Sequence, residues 1–502
     1  MRVLRAVSLA CVVLLAGLNV VSAQSWTPLT NQPTFSPSAE FLLTDGRVLM
    51  QDYSATDWWV LTPDINGSYV NGTWSQVASM PATFNYAPLF YASAVLPDGR
   101  LAILGGEYNF GNEAFTNLGA VYNPTTNEWK ALVAPRDVTD IRTHIVNPSP
   151  GSEGDAASVV LANGDWMVAA CCDAFNNDGT NGLDLASGGD LHWKPSGTGK
   201  ADNYDEEGFT LLPGGKVLLA DTTVIQGSEI YDPSTGAWTS AGTIPVAVAD
   251  PVGDEVGPAV LRYDGTVLQT GATGHNAVYD TNTGTWSAAP DFPLNGQGVQ
   301  LDVYDGPASI LPNGNVLVMT SPGQYKMGAQ FFEWDGTNFN SVPATPNAAN
   351  VSSYFGRMLV LPDGGVMATD YSQDVEIYYT SGGPDESWRP TITSIDAKEI
   401  HPGEKGRKLI GTQLTGLSEG AAFGDDFQDS TNYPIVSITN NATGHLFNCR
   451  SYNFSSGVAT GATPQTTLFD VPAGIETGDS TVVVTTNGII SAGYSIIVKD
   501  TK

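Results

Sequence analysis

The sequence predicts an all-β chain: a seven-bladed β-propeller followed by a β-sandwich. Three observations carry that expectation. A hairpin signature recurs about every 50 residues, several copies end in a common Tyr-to-Trp strand, and both patterns stop near residue 390. The clearest copy is Asp305-Gly-Pro-Ala-Ser-Ile-Leu-Pro-Asn-Gly-Asn-Val-Leu-Val-Met319, in which two apolar runs flank Asn-Gly. That pair tolerates φ > 0 at both central positions, so a type I′ hairpin is expected.

Residues 1–23 read as a secretory signal, with Arg2 and Arg5, an apolar stretch from Val7 to Leu18, and the small-residue site Val21-Ser-Ala23. Hairpin copies then turn at Gly46, Gly99, Gly164, Gly215, Gly265, Gly314 and Gly364, with gaps of 53, 65, 51, 50, 49 and 50 residues. A period near 50 suits kelch-like propeller blades, stacked units that cannot bury their faces alone. Three copies continue into Tyr122-Asn-Pro-Thr-Thr-Asn-Glu-Trp129, Tyr231-Asp-Pro-Ser-Thr-Gly-Ala-Trp238 and Tyr279-Asp-Thr-Asn-Thr-Gly-Thr-Trp286. Those Tyr and Trp residues are expected to pack between blades rather than touch a ligand. Trp26-Thr-Pro-Leu-Thr-Asn-Gln-Pro33 resembles an outer strand yet precedes the first hairpin. It is expected to complete the seventh blade and remove the free sheet edges. The propeller then spans 24–388.

From Pro390 the repeat gives way to short β-runs: Pro390–Ile395, Lys408–Gly411, Thr466–Phe469 and Ser480–Thr485. They predict an immunoglobulin-like β-sandwich over 389–502. A signal, kelch-like blades, an Ig-like end and the closing Asn487-Gly-Ile-Ile-Ser491 together resemble the galactose oxidase/glyoxal oxidase superfamily. The resemblance implies a copper held by two Tyr and two His, one Tyr being crosslinked to a Cys. Matched to the Leu-Pro-Asp-Gly hairpins, the axial Tyr-His pair falls on Tyr354-Phe355, the crosslinking Cys on Phe90 and its Tyr partner on Glu206. Copper ligands are not retained at those places, and Cu²⁺ is not expected. Such an oxidase would also send a His from the C-terminal domain towards the axis, and no His is assigned to that role here.

Composition narrows the partners. Without the signal the chain carries 52 acidic and 19 basic residues, a net of −33. This argues against nucleic acid and anionic membranes and favours neutral or cationic ligands. No later stretch is long and apolar enough to span a bilayer, so a secreted, extracellular monomer is expected. Asn66, Asn71, Asn350, Asn441 and Asn453 head N-glycosylation sequons. Three cysteines remain after Cys11 leaves with the signal. Cys171-Cys172 read either as a vicinal pair or as buried thiols, and one of them as an alternative partner for Cys449.

Blade register locates the candidate site. Inner strands begin, and second strands end, on one face around the channel. Nine residues before the turn Gly stand Asp155, Glu206 and Asp305, and Glu255 stands ten before. Glu207, Asp254, Asp52, Glu107, Asp173, Asp221 and Asp370 fall near the same rim, as do Tyr53, Trp58, Trp59, Tyr91, Tyr108, Phe110, Tyr304 and Tyr354. His275, His144 and Arg357 complete the candidate substrate-binding set. Crowded carboxylates cannot all ionise, so some become acids beside an ionised base. With aromatic faces for sugar rings, this favours cleavage of a neutral or amino-sugar glycan, with Glu206 and Asp305 as the leading acid and base, then Asp155 and Glu255. A uronate lyase using Arg142, His144 and Arg357 is a variant. The competing readings are a lectin-like or interaction propeller, axial carboxylates holding Ca²⁺, and a divergent oxidase.

Overall fold

The computed structural model describes residues 24–132, 155, 157–169, 183–204, 206–425 and 430–500. The signal, His144, Arg142, Asp173 and Cys171-Cys172 lie outside them. Everything described is β-structure joined by turns, with four single-turn 3₁₀ segments. Among the described residues seven antiparallel sheets follow one another before residue 390, six of four strands and the sixth of five; the seventh takes its outer strand from Ser25–Pro28. The first holds Pro37–Leu42, Val48–Asp52, Trp58–Thr62 and Thr73–Gln76. The sixth holds Ala308–Ile310, Val316–Thr320, Gln330–Trp334 and Phe339–Val342.

The hairpin turns differ from the expected type. Leu311 O accepts from Gly314 N at 2.9 Å, and Leu311 N donates to Asn315 O at 2.8 Å. Gly314 has φ 87°, whereas Asn313 is not left-handed. This is a type I turn closed by a left-handed glycine, not type I′. Pro312 explains it, since a φ fixed near −65° suits the first central position of a type I turn. Asn313 Oδ1 then caps Asn315 N at 3.0 Å.

The Tyr and Trp residues pack as expected. Tyr122, Tyr231 and Tyr279 each oppose a Trp across paired strands, with ring centroids 5.0, 5.3 and 5.1 Å apart. Trp129 Nε1 donates 2.8 Å to Ala78 O and its ring meets Trp58 at 4.9 Å, tying the second sheet to the first. Ser25–Pro28 pairs with Glu376–Tyr379 of the seventh sheet. Trp26 Nε1 donates to Pro343 O, just past the outer strand of the sixth sheet, at 2.6 Å, and its ring meets Phe331 of that sheet at 5.0 Å. First strands of successive sheets lie side by side. Ala308–Ile310 touches Ala259–Leu261 on one side and Arg357–Val360 on the other, and Arg357–Val360 touches Pro37–Leu42. The last sheet thus meets the first, as in a β-propeller.

After residue 390 the strands join a separate sheet system around Leu409, Val436, Ile438, Phe469, Val482 and Val484. One segment leaves it. Ala421–Ala422 pairs with Ser309 and Ala308, and Gly420 O accepts from Ile310 N at 2.8 Å. The Glu419 carboxylate accepts from Leu211 N at 2.7 Å and Leu261 N at 3.5 Å. Residues 419–425 therefore plug the centre of the sheet ring, fastened to its fourth, fifth and sixth sheets.

Candidate functional site

The register positions share a backbone conformation. Phe90, Asp155, Glu206 and Asp305 all lie in the left-handed region, with φ of 50°, 53°, 55° and 49°. For a residue with a Cβ that costs about 1–2 kcal/mol each. Strain repeated at one station of several sheets turns those side chains out of the strand pattern and towards the mouth.

There the predicted carboxylates meet. One oxygen from each of Asp155, Glu206 and Asp425 lies within 4.8 Å of the others. Burial first, then the charges of Asp155, Asp425, Glu255 and Asp305, push the Glu206 carboxyl well up. Burial and then Asp305 do the same to Glu255. Asp305 is raised by burial and Asp425, while its hydrogen bond to Glu255 and the charge of Arg357 pull it down. Glu107 is pushed up to about 7 by burial, Asp425 and Glu113. Asp155 and Glu206 keep partial solvent exposure, whereas Glu255 and Asp305 are 7% and 6% exposed and form the floor.

Asp425 is the residue that register reasoning missed, because it comes from the plug and lies outside the repeat. Gly424 lets it approach, since a Cβ there would stand 2.7 Å from Asp305 Oδ1 and 3.3 Å from Val256 O. A glycine and two acids after the small Ala421-Ala422 pair were the available signal.

Aromatic rings wall one side. Tyr304, Tyr325, Tyr354, Phe90 and Tyr108 follow one another at centroid distances of 5.3, 4.9, 4.8 and 5.9 Å. Tyr354 continues to Phe355 at 5.5 Å, Phe355 to Tyr371 at 5.6 Å, and Tyr371 to Tyr53 at 4.7 Å. Burial and then Glu255 and Asp305 raise the Tyr325 phenol, which places its ring beside the acids. Tyr325 is 49% exposed and was not a candidate from sequence.

Other candidates are placed elsewhere. Tyr91 is 1% exposed and donates to Gln51 Oε1 at 2.8 Å, so it is core. Trp58 is buried against Phe41 and Trp129, and Trp59 stacks on Phe35. Tyr304 stays in the aromatic wall as its buried end, where its hydroxyl accepts from Gln324 at 2.7 Å. Arg357 is a floor residue, donating to Gly356 O at 2.7 Å with its guanidinium 3.7 Å from the Phe423 ring centre. At 2% exposure it acts on the floor, where its charge pulls the Asp305 carboxyl down. His275 is exposed and pairs with Asp291 at 2.7 Å. Asp52 accepts from Ser36 N, and Asp370 from Asn347 and Ser372.

Glu207 and Asp221 turn the other way, into a second cluster. Lys200, its side chain fully buried, meets Asp202, Glu207 at 2.9 Å, Glu229 at 3.3 Å and Asp221 at 3.6 Å. Its ammonium lies 5.2 Å from the Tyr204 ring centre.

The copper reading can be tested on donors. The matching positions do meet, since Phe90 stacks on Tyr354 at 4.8 Å, but Phe90 and Phe355 offer no metal donor. The plug supplies Asp425, not His. Carboxylate oxygens suit a hard cation and do not fit a copper centre built on thiol, imidazole and phenol.

Fold and sheet order define a β-propeller class of protein. Among solved structures the chain is similar to two β-propeller proteins. For the structure of YjhT the TM-score is 0.35 and the identity 14%, over 79% of this chain and 99% of that one. For YCF48 bound to D1 peptide the TM-score is 0.44 and the identity 13%, over 71% and 96%. No family model and no curated protein matches the chain.

Proposed function

We propose that this chain is an extracellular, seven-bladed propeller of kelch-like period with an Ig-like C-terminal domain, and that it cleaves a glycan at the acidic mouth. The observation that carries the reading is the convergence of Glu206, Asp155, Asp305 and Glu255 on one place beside a run of aromatic rings. Sugar rings would lie on Tyr325, Tyr354 and Tyr108, whose apolar faces suit C–H surfaces while their hydroxyls meet sugar oxygens. Glu206, open to the mouth and held protonated by its neighbours, is the acid for the leaving oxygen. Asp155 is the carboxylate facing it. One oxygen of each lies within 4.8 Å of the other, a closeness that supports two-step, retaining cleavage over inversion, which needs carboxyl groups roughly 6.5–9.5 Å apart. Asp305 and Glu255 share a proton beneath and keep Glu206 from ionising. All five sequon asparagines lie exposed, which suits glycosylation on a secretory route.

Product analysis against a panel of neutral and amino-sugar polysaccharides tests the proposal. New reducing ends of retained anomeric configuration are expected, lost at least 100-fold in Glu206→Gln and Asp155→Asn with glycan retention preserved. Retention without product in the native protein would leave a lectin-like propeller.

A further inference from the structure

Exposed apolar side chains are unevenly placed on this molecule. In each sheet of the ring the first strand begins and the second ends at the mouth, so the connections on that face precede first strands or follow second strands. Among the described residues, every large apolar side chain that stands exposed belongs to these connections, except Ile65, Ile490 and Ile497. The opposite face is covered, since the turns at Gly46, Gly99 and Gly364 lie against Asn448, Ser451 and Gly488 of the C-terminal unit. An apolar surface gathered on the one open face marks an interaction site, whereas single scattered residues would not. Part of it is a shaped groove of about 700 Å³ between segments 295–299, 322–330 and 344–349, lined by Val299, Pro322, Met327, Pro346 and Ala348 among others. Met327 is 65% exposed at its edge. Leu294 stands on the same hairpin as Val299, bridging through Gln300. Val252, 89% exposed, stands beside Gly253, which lies against the Tyr304 hydroxyl that Gln324 of the groove loop also meets. The surroundings are acidic. Asp250, Asp254 and Asp291 stand on the connections that carry Val252 and Leu294, whereas Lys326 is the one exposed Lys or Arg in the described connections of this face.

We propose that this groove and its rim dock a polypeptide segment that carries Lys or Arg beside apolar side chains. The apolar side chains enter the groove over Met327 and Val299, and the positive charges go to the rim acids, away from Lys326. Charge complementarity selects this occupant. A second copy would bring the same acidic face, on a chain of net charge −31, and an anionic lipid surface is repelled in the same way. Sugar rings stack on flat aromatic faces, which the wall from Tyr304 to Tyr108 already offers. Met327, Val299, Leu294 and Val252 are aliphatic instead, and Met adapts readily to the varied side chains of a bound polypeptide. The docking goes beyond the cleavage reading and stands without it.

The test is selection of a random peptide library, displayed on phage, against the full-length protein, followed by titration of the recovered peptides. Those peptides are expected to combine Lys or Arg with Leu, Ile, Val, Met or Phe and to bind with a Kd below about 100 μM. Their binding is expected to weaken severalfold as NaCl rises to roughly 0.5 M. The pair Met327→Ser and Val299→Ser, both at exposed positions, is expected to weaken it at least about tenfold with the urea midpoint unchanged. Val252→Ser, on a separate loop, is expected to weaken it about twofold. Ile490→Ser, in the C-terminal unit, is expected to bind as the native chain does. Recovered peptides that are acidic or wholly polar, or no peptide below about 100 μM, would overturn the proposal. So would equal binding by the Met327→Ser, Val299→Ser chain, or by a recovered peptide whose apolar residues are all replaced by Ser. Neutral oligosaccharides whose binding is lost in the same double variant would give the groove to sugar, and a dimer lost in it would give the groove to a second copy. Either result overturns the polypeptide.

Discussion

Glu206 and Glu207 are neighbours in sequence and lead two opposite solutions to buried negative charge. Glu207 enters a cluster with its own cation, where Lys200 is ringed by four carboxylates in the packed wall of the fourth sheet. Glu206, turned out by its left-handed backbone, joins carboxylates that, after burial, push its own carboxyl well up. The first arrangement is complete and inert. The second is incomplete by design and open to solvent on one side, which is what a binding or reacting site requires.

Removing the built-in cation breaks the contrast most severely. Lys200→Met leaves four carboxylates without their partner, and urea unfolding should show a loss of about 3–5 kcal/mol, the scale for halving a buried pair. A loss below about 1 kcal/mol would mean the ammonium is not what stabilises that wall.

A smaller effect is expected from pH. Burial first pushes Asp221 up to about 7, with Lys200 opposing and Asp202 adding to the rise. Burial also pushes Glu419 up to about 8 against its two backbone donors. The folded chain keeps both protons over a range where the unfolded chain, with pKa near about 4, has lost them. Their contribution is full below about pH 4 and is lost as pH rises through 7 and 8. Tm in chelator should therefore fall from pH 5 to pH 8, and Glu419→Gln should flatten that fall. A native profile that rises over the same interval would contradict the assignment.

The smallest effect sharpens the site side. Tyr325→Ala should leave the urea midpoint unchanged, since the ring is half exposed, yet weaken glycan retention about 2–10-fold. Equal retention would remove the aromatic wall from the binding surface.

The sheets were legible because one turn glycine per repeat sets a register, and register placed Asp155, Glu206 and Asp305 at one station. What register does not carry is side-chain direction after a left-handed residue. Phe90 takes that conformation and faces the ring of Tyr108, while Tyr91 goes to the core. The same turn separates Glu206 from Glu207. Lys200 and Asp425 were illegible for another reason: Lys200 lies between the third and fourth sheets and Asp425 in the plug, and no periodicity marks a residue that belongs to no repeat.

The plug has a consequence in time. Asp155, Glu206, Glu255 and Asp305 are all made before residue 310, whereas Asp425 follows more than a hundred residues later and arrives with a differently folded unit. During synthesis the ring can assemble its sheets, but its centre lacks the plug and the mouth one carboxylate until the C-terminal unit docks. The chain therefore carries its own delay: whatever the mouth does, it begins only once the segment that bears Asp425 has emerged and docked.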